Sequence, residues 1–319
     1  MNESINWKNA LPVFLKGAAM GIAEVIPGVS GGTIAFISGI YERLLRAIKA
    51  FGPEAIQGFR QGGVRGFWGS IDGNFLLALL SGMAGGLIFG VFAVTWILDN
   101  YPVLIWAFFF GLILSSVWFV GKQIKKWNWT TILALALGTA VAFYITVANP
   151  GHGNEALWFV FVCGMLAICA LMLPGISGSF ILLLLGMYTY IVPTVKQALL
   201  TFDSASLTIL AVFAAGAIIG LAGFSRILTW TFKHYHDFTM ALMTGFMLGS
   251  LNKIWPWRNV LEYRTNSKGE QIPFLEKSVW PAQYDGETFL FWGIVMIFVG
   301  FAAVFFLEKF AGNNETRHE

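Results

Sequence analysis

Two short stretches hold the residue types that could do chemistry in this chain. In "AEVIPGVSGGT" (23–33) a carboxylate, Glu24, precedes a Pro27-Gly28 break, and Ser30 and Thr33 follow it around Gly31 and Gly32. In "LPGISGS" (173–179) the break recurs at Pro174-Gly175, followed by Ser177, Gly178 and Ser179. Proline withholds an amide and disfavours helix before it, and glycine lets the backbone turn tightly and come close to a ligand. A helix restarting near Ser30 or Ser177 presents unpaired amides. Such amides favour an anion, with the hydroxyls of Ser30, Thr33, Ser177 and Ser179 as further donors. Small residues also serve simply to let a hairpin tip pack closely in a membrane. The residues alone leave both readings open.

Glu24 is weighed separately. A carboxylate in a membrane segment is costly and marks a functional site by default; the alternative is a structural cap or ion pair. Lys16, eight residues earlier, is too far along one helix to pair with it directly, and the second copy of the motif has Leu171 at this position. A carboxylate beside an anionic ligand repels it unless protonated or cation-paired, so Glu24 is the expected point of coupling to H+ or Na+. Arg43 and Arg46, three apart on one helix face, either draw an anionic headgroup from the inner leaflet or act as positive-inside anchors.

Other chemistries find little support. Cys163 and Cys169 are six apart on different faces and suggest neither a disulfide nor a metal site. The four histidines fall at ends or loops, so no metal is expected. "PGVSGG" lacks the Gly-Lys-Ser/Thr ending of a nucleotide loop, which excludes ATP hydrolysis by that device. A net charge of +3 is too small to argue for nucleic acid. No cofactor is expected, and no feature specifies an oligomeric state.

The elements that must position these residues are membrane helices. With 57% hydrophobic residues, 12% charged, 30 Phe and 13 Trp in 319 residues, and a mean hydropathy of +0.70, the chain is too apolar for a water-soluble domain. Residues 1–9 are polar, and no removable signal peptide is expected.

The chain also repeats itself. At an offset of 147, "IPGVSGGTIAFISGIY" (26–41) lies over "LPGISGSFILLLLGMY" (173–188), matching Pro27/Pro174, Gly28/Gly175, Ser30/Ser177, Gly39/Gly186 and Tyr41/Tyr188. Further on, "GLIFG" (86–90) falls over "GAIIG" (216–220) and Tyr101 over Tyr235. Two homologous halves follow: a tail over 1–8, a first repeat over 9–148, a linker over 149–155, a second repeat over 156–310 and a tail over 311–319.

Each half reads as a Pro/Gly-broken hairpin, re-entrant in the first half and either re-entrant or fully spanning in the second, followed by three spans, 75–98, 103–121 and 131–148, then 207–232, 238–251 and 289–310. Three spans are an odd number, so the second half enters upside down. Both termini are then cytoplasmic, and most of the 20 basic residues lie inside, as the positive-inside tendency asks. Segment 51–73 is expected on the inner membrane surface, with its glycines opposing a regular helix. Loop 252–288 lies outside, its basic and acidic residues balanced. The fold class is therefore an all-α integral membrane protein with an inverted-topology repeat, an architecture whose sites lie at the midplane. Non-helical backbone at that depth needs protein or a watery cavity around it, so the two tips are expected to meet inside the protein.

At these residues the chain resembles a known family. The doubled Pro-Gly-x-Ser-Gly motif, with "GIYERLL" and "GMY" after its copies, is similar to the bacterial membrane family formerly called a domain of unknown function and identified as polyprenyl-phosphate transporters. The resemblance covers about 11–310. It implies translocation of undecaprenyl phosphate from the outer to the inner leaflet of the bacterial cytoplasmic membrane, for reuse in cell-wall and surface-glycan synthesis. It carries the family's motif onto Glu24, Pro27, Gly28, Ser30, Gly31, Gly32 and Thr33, and onto Pro174, Gly175, Ser177, Gly178 and Ser179. The second copy departs in having Ser179-Phe180 where the first has Gly32-Thr33. Two other classes remain open. One is a polyprenyl-pyrophosphate phosphatase, for which neither tip has the Arg or His that would stabilise a transferring phosphoryl group. The other is an ion-coupled transporter of a small solute.

Overall fold

The computed structural model describes residues 7–25, 30–148, 151, 153–265 and 271–315; Pro27 and Gly28 lie outside them. The chain opens with α1 (Trp7–Glu24), α2 (Gly31–Ile37), α3 (Tyr41–Lys49), α4 (Pro53–Ser70), α5 (Gly73–Asn100), α6 (Pro102–Gly121) and α7 (Trp129–Val147). After these come α8 (Leu157–Met172), α9 (Gly178–Leu184), α10 (Tyr188–Thr201), α11 (Ser204–His234) and α12 (His236–Ser250). A hairpin, β1 (Arg258–Thr265) and β2 (Gln271–Ser278), precedes the closing α13 (Leu290–Glu315).

Two features correct the sequence reading of these elements. The arm after each Pro-Gly break is not one helix but two, α2–α3 and α9–α10. Each is interrupted at a glycine in the left-handed region, Gly39 at φ +75° and Gly186 at φ +70°, which a residue with a Cβ adopts only under strain. The all-α expectation also fails in loop 252–288. There β1 and β2 pair antiparallel, Arg258 opposite Ser278 and Thr265 opposite Gln271.

Segment 51–73 is more regular than its glycines suggest. It forms α4, which doubles back at Gly62-Gly63, where Gly63 has φ +57°. A Cβ on Gly58 would sit 2.6 Å from the Gly66 carbonyl oxygen, so the two short arms lie against each other.

Helices pair through small residues that let backbones touch. A Cβ on Gly17, Gly82 or Gly86 would run into the carbonyls of Leu79, Phe14 and Ala18, which fastens α1 to α5. In the second half Gly164, Gly216 and Gly220 stand in the same relation to Phe213, Phe161 and Met165, fastening α8 to α11. The contacts therefore match Gly82 with Gly216 and Gly86 with Gly220. The sequence alignment of 86–90 over 216–220 was one helical turn out of step. α7 pairs with α12, where Gly245 and Gly249 meet the carbonyls of Leu135 and Thr139, and α6 pairs with α13, where Gly300 meets Phe108. Both members advance together in every pair, so all four pairs are parallel.

Among the described residues, the stretches Pro53–Leu98, Pro102–Gly121, Trp129–Val147 and Ser204–His234 are long and apolar enough to cross a bilayer, and Leu157–Met172 and Leu290–Phe305 are shorter apolar helices. α12, expected as a span, has 15 residues, about 22 Å of rise against the roughly 30 Å of a hydrocarbon core. The outer faces are apolar: Phe92 is 75% exposed, Ile218 66% and Phe298 69%. Exposed apolar surface on that scale requires lipid. Exposed aromatic residues with polar edges, Trp96, Tyr101, Trp129, Trp158 and Trp230, cluster near helix ends, as at membrane interfaces.

Candidate functional site

The two breaks come together in the interior. α1 ends at Glu24, and α2 restarts at Gly31 behind Ser30, whose extended backbone (φ −115°, ψ 137°) makes it the N-cap. Ser30 Oγ accepts the Gly32 N–H at 3.1 Å and donates to the Leu171 carbonyl of α8 at 3.1 Å. Two turns of chain are joined across the halves by further bonds. The Gly175 N–H donates to Thr33 Oγ1 at 2.8 Å, and the Tyr41 hydroxyl donates to the Met172 carbonyl at 2.6 Å. Ser30 and Thr33 are fully buried.

The fit leaves no room for side chains at two glycines. A Cβ on Gly32 would lie 2.7 Å from the Leu171 carbonyl oxygen. On Gly175, at φ +85°, it would lie 2.9 Å from both the Phe246 carbonyl oxygen and Ser250 Oγ.

The amides expected to be free for an anion are mostly occupied in this state. Glu24 Oε1 accepts the Gly31 N–H at 2.7 Å, Ser30 holds Gly32, and Thr33 holds Gly175. Glu24 thus caps the α2 N-terminus, where a negative group is favoured by the orphan amides and the helix dipole. The carboxylate stands where an anionic ligand would bind. The second tip is built differently. Ser177 makes no cap bond, and its Oγ lies 2.8 Å from Ser179 Oγ, so the two hydroxyls pair with each other.

A cavity of about 490 Å3 opens beneath the α2–α3 interruption, lined by Lys16, Ser38, Tyr41, Arg43, Arg46 and Gln123 among others. Lys16 Nζ donates to the Ser38 carbonyl at 2.7 Å, at the C-terminal end of α2. Arg43 reaches Asp72 with two bonds, Nε to Oδ2 at 2.7 Å and Nη2 to Oδ1 at 3.1 Å, and lies over the Phe75 ring. Arg46 makes an exposed ion pair with Glu42 at 3.5 Å, an arrangement worth little in water. Of the two sequence-predicted headgroup residues, Arg43 is committed to a neighbouring element and Arg46 faces the cavity with a weak partner.

Lys16 and Tyr41 were not sequence-predicted as site residues. Tyr41 had a signal in its match to Tyr188 within the repeat. Lys16 had only its cost as a charge in an apolar helix. The glutamate, the two breaks and the second interruptions define a multi-pass helical membrane protein with discontinuous helices meeting at a polar interior point.

The comparisons agree with that class. Residues 20–272 match the model of the VCA0040-like family, described as undecaprenyl phosphate translocase-like. A polyprenyl-phosphate transporter of Vibrio cholerae is 43% identical over 307 residues, 95% of this chain and 97% of that protein. A polyprenyl-phosphate transporter of Staphylococcus aureus is 32% identical over 268 residues, 80% of this chain and 88% of that protein. The chain belongs to the undecaprenyl phosphate translocase-like family, whose curated relatives are transporters and not enzymes. No solved structure matches it.

Proposed function

We propose that this protein carries undecaprenyl phosphate, or a closely similar polyprenyl phosphate, from the outer to the inner leaflet of the bacterial cytoplasmic membrane, returning the lipid carrier for reuse. The observation that carries the reading is the direct bonding of the two broken segments to each other, Thr33 to Gly175 and Ser30 to Leu171, in a chain of this family. The polyprenyl tail stays in lipid and only the phosphate needs shelter. Polar backbone at a protein-lined break supplies that shelter.

The phosphate site comprises Ser30, Gly31, Gly32 and Thr33 of the first tip and Gly175, Ser177, Gly178 and Ser179 of the second, with Pro174 shaping the second turn; Pro27 and Gly28 of the motif lie outside the described residues. Glu24 and the phosphate compete for the Gly31 amide. Proton or Na+ occupation of Glu24 removes the charge that repels the phosphate and weakens its hold on that amide, which links ion binding to phosphate binding. The cavity lined by Lys16 and Arg46 receives the phosphate on its way to the Lys/Arg-rich side.

The inverted-topology repeat is part of this proposal. Residues 122–128 are a short connection, so α6 and α7 run in opposite directions. If the second half entered as the first does, α12, the counterpart of α6, would run against α7. It runs parallel to it, which favours inversion; with the Lys/Arg-rich side taken as the inner one, both termini are cytoplasmic in this reading.

The test is reconstitution of the pure protein in liposomes, following a labelled polyprenyl phosphate between leaflets. Movement faster than in protein-free liposomes is expected, with no phosphate released from a polyprenyl pyrophosphate. Release without movement would overturn the reading in favour of a phosphatase.

A further inference from the structure

The loop after α12 buries two cations where the sequence suggests only a balanced, solvated surface. Lys253 Nζ and Arg258 Nη2 both approach one carboxylate oxygen, Oε2 of Glu276, at 3.8 and 2.9 Å. The Lys253 side chain is 16% exposed, that of Arg258 only 8%. Arg258 Nη1 donates to the Lys253 carbonyl at 2.7 Å, while its Nε is buried without a hydrogen-bond partner among the described residues. Lys253 Nζ also lies 4.8 Å from the centre of the Phe180 ring. Phe180 directly follows Ser179 of the second tip.

One carboxylate faces two cations here. Fastening the β-hairpin to the helices needs one cation per acid, and a buried uncompensated charge with an orphaned N–H is costly. The Phe180 ring offsets only part of the Lys253 charge. Burial and the Arg258 charge push the Lys253 ammonium down to about 8, against the opposing pull of Glu276. Among the described residues, two buried cations thus share one carboxylate, an arrangement that is one anion short.

We infer that Lys253 and Arg258 form a docking site for a phosphate monoester group on the far side of the second tip from the Lys16 cavity, with Arg258 Nε and Lys253 Nζ as its donors. The inference rests on the proposed transport reading for its ligand, an outer-leaflet lipid phosphate that is handed on to Ser179 and Ser177. Glu276 is the group that occupies the cations while the site is unloaded.

The test uses the full chain in lipid nanodiscs, titrated with dodecyl phosphate and, separately, with inorganic phosphate. Lys253→Gln and Arg258→Gln are each expected to weaken dodecyl phosphate binding about tenfold or more, the value of a lost charge-assisted contact. Glu276→Gln removes the competing carboxylate and is expected to tighten binding severalfold. A purely structural triad would lose folding and binding in all three variants, so weaker binding by Glu276→Gln overturns the proposal, as does unchanged binding in the Lys253 and Arg258 variants. Binding of inorganic phosphate in preference to dodecyl phosphate would overturn the lipid headgroup as ligand. Leaflet transfer in liposomes separates the two claims. Dodecyl phosphate binding that depends on Arg258, without transfer by the wild type, upholds the site and refutes the transport reading; transfer that is indifferent to all three variants does the reverse.

Discussion

Glu24 has a structural duty as a cap and a proposed chemical one, and the two are separable by substitution. Its bond to the Gly31 amide needs only an acceptor oxygen, which glutamine retains. Glu24→Gln is therefore expected to insert and melt as the wild type does, while Glu24→Leu loses the cap, worth about 1 kcal/mol, and lowers the melting temperature in detergent. The proposed ion coupling needs the titratable oxygen. Transport by Glu24→Gln is expected to ignore imposed pH and Na+ gradients to which the wild type responds. A full response in that variant would leave Glu24 as a cap alone.

Lys253 is the second titrating residue with a consequence. Its ordinary value of 10.5 is lowered to about 8, so the charged form is held at a cost below pH 8, and that cost is relieved between about 8 and 10.5, where folding is favoured more as pH rises. Anion binding has the opposite sign. The charged and titratable groups around Lys253 are Arg258, Glu276 and the Tyr284 phenol, the last pushed up by burial and by Glu276. The pocket then loses one positive charge as pH rises through about 8, a range in which a phosphate monoester, with its second ionisation near 6, no longer changes. Dodecyl phosphate affinity is expected to fall across that step and to stay level in Lys253→Arg; a level wild-type profile would count against the contact.

At the scale of elements, the breaks differ in how they announce themselves. Pro27-Gly28 and Pro174-Gly175 were legible because proline forbids what the surrounding apolar pattern demands. Gly39 and Gly186 were not, because one glycine in an apolar helix looks the same whether it packs or turns left-handed. Only their coincidence in the repeat carried a signal.

The two positions also differ in surroundings. A Cβ at Gly39 meets open space, whereas at Gly186 it strikes the Gly151 carbonyl. Gly39→Ala is expected to cost about 1–2 kcal/mol of backbone strain, and Gly186→Ala clearly more, read as the larger drop in melting temperature. Equal drops would mean that the Gly151 contact yields freely. The β-hairpin was legible in part, since "RNVLEYRT" and "QIPFLEKS" flank the turn-prone "NSKG". Charge balance in that loop masked the strand pattern, and with it the burial of Lys253 and Arg258.

At the scale of the molecule, the apolar composition foretold a chain of many apolar helices. Its limit lay in the third dimension. Nothing in the spacing of Ser30, Thr33 and Tyr41 shows that they bond to Leu171, Gly175 and Met172, because pairs more than 130 residues apart leave no local trace. The proposed inversion has its own check in a background where both cysteines are replaced. Gln61→Cys on α4 is expected to resist an impermeant thiol reagent in intact cells, and Glu287→Cys before α13 to react; the opposite pattern would reverse the orientation.

The meeting of the two tips around a lipid phosphate is tested most directly by photocrosslinking. A polyprenyl phosphate bearing a diazirine next to its phosphate is bound to the full chain in nanodiscs, irradiated and mapped by peptide mass. Adducts within 24–38 and 171–180 are expected, displaced by excess unlabelled lipid. Adducts confined to the lipid-facing surfaces of α5, α11 and α13, or indifferent to competitor, would contradict a phosphate site at the joined breaks.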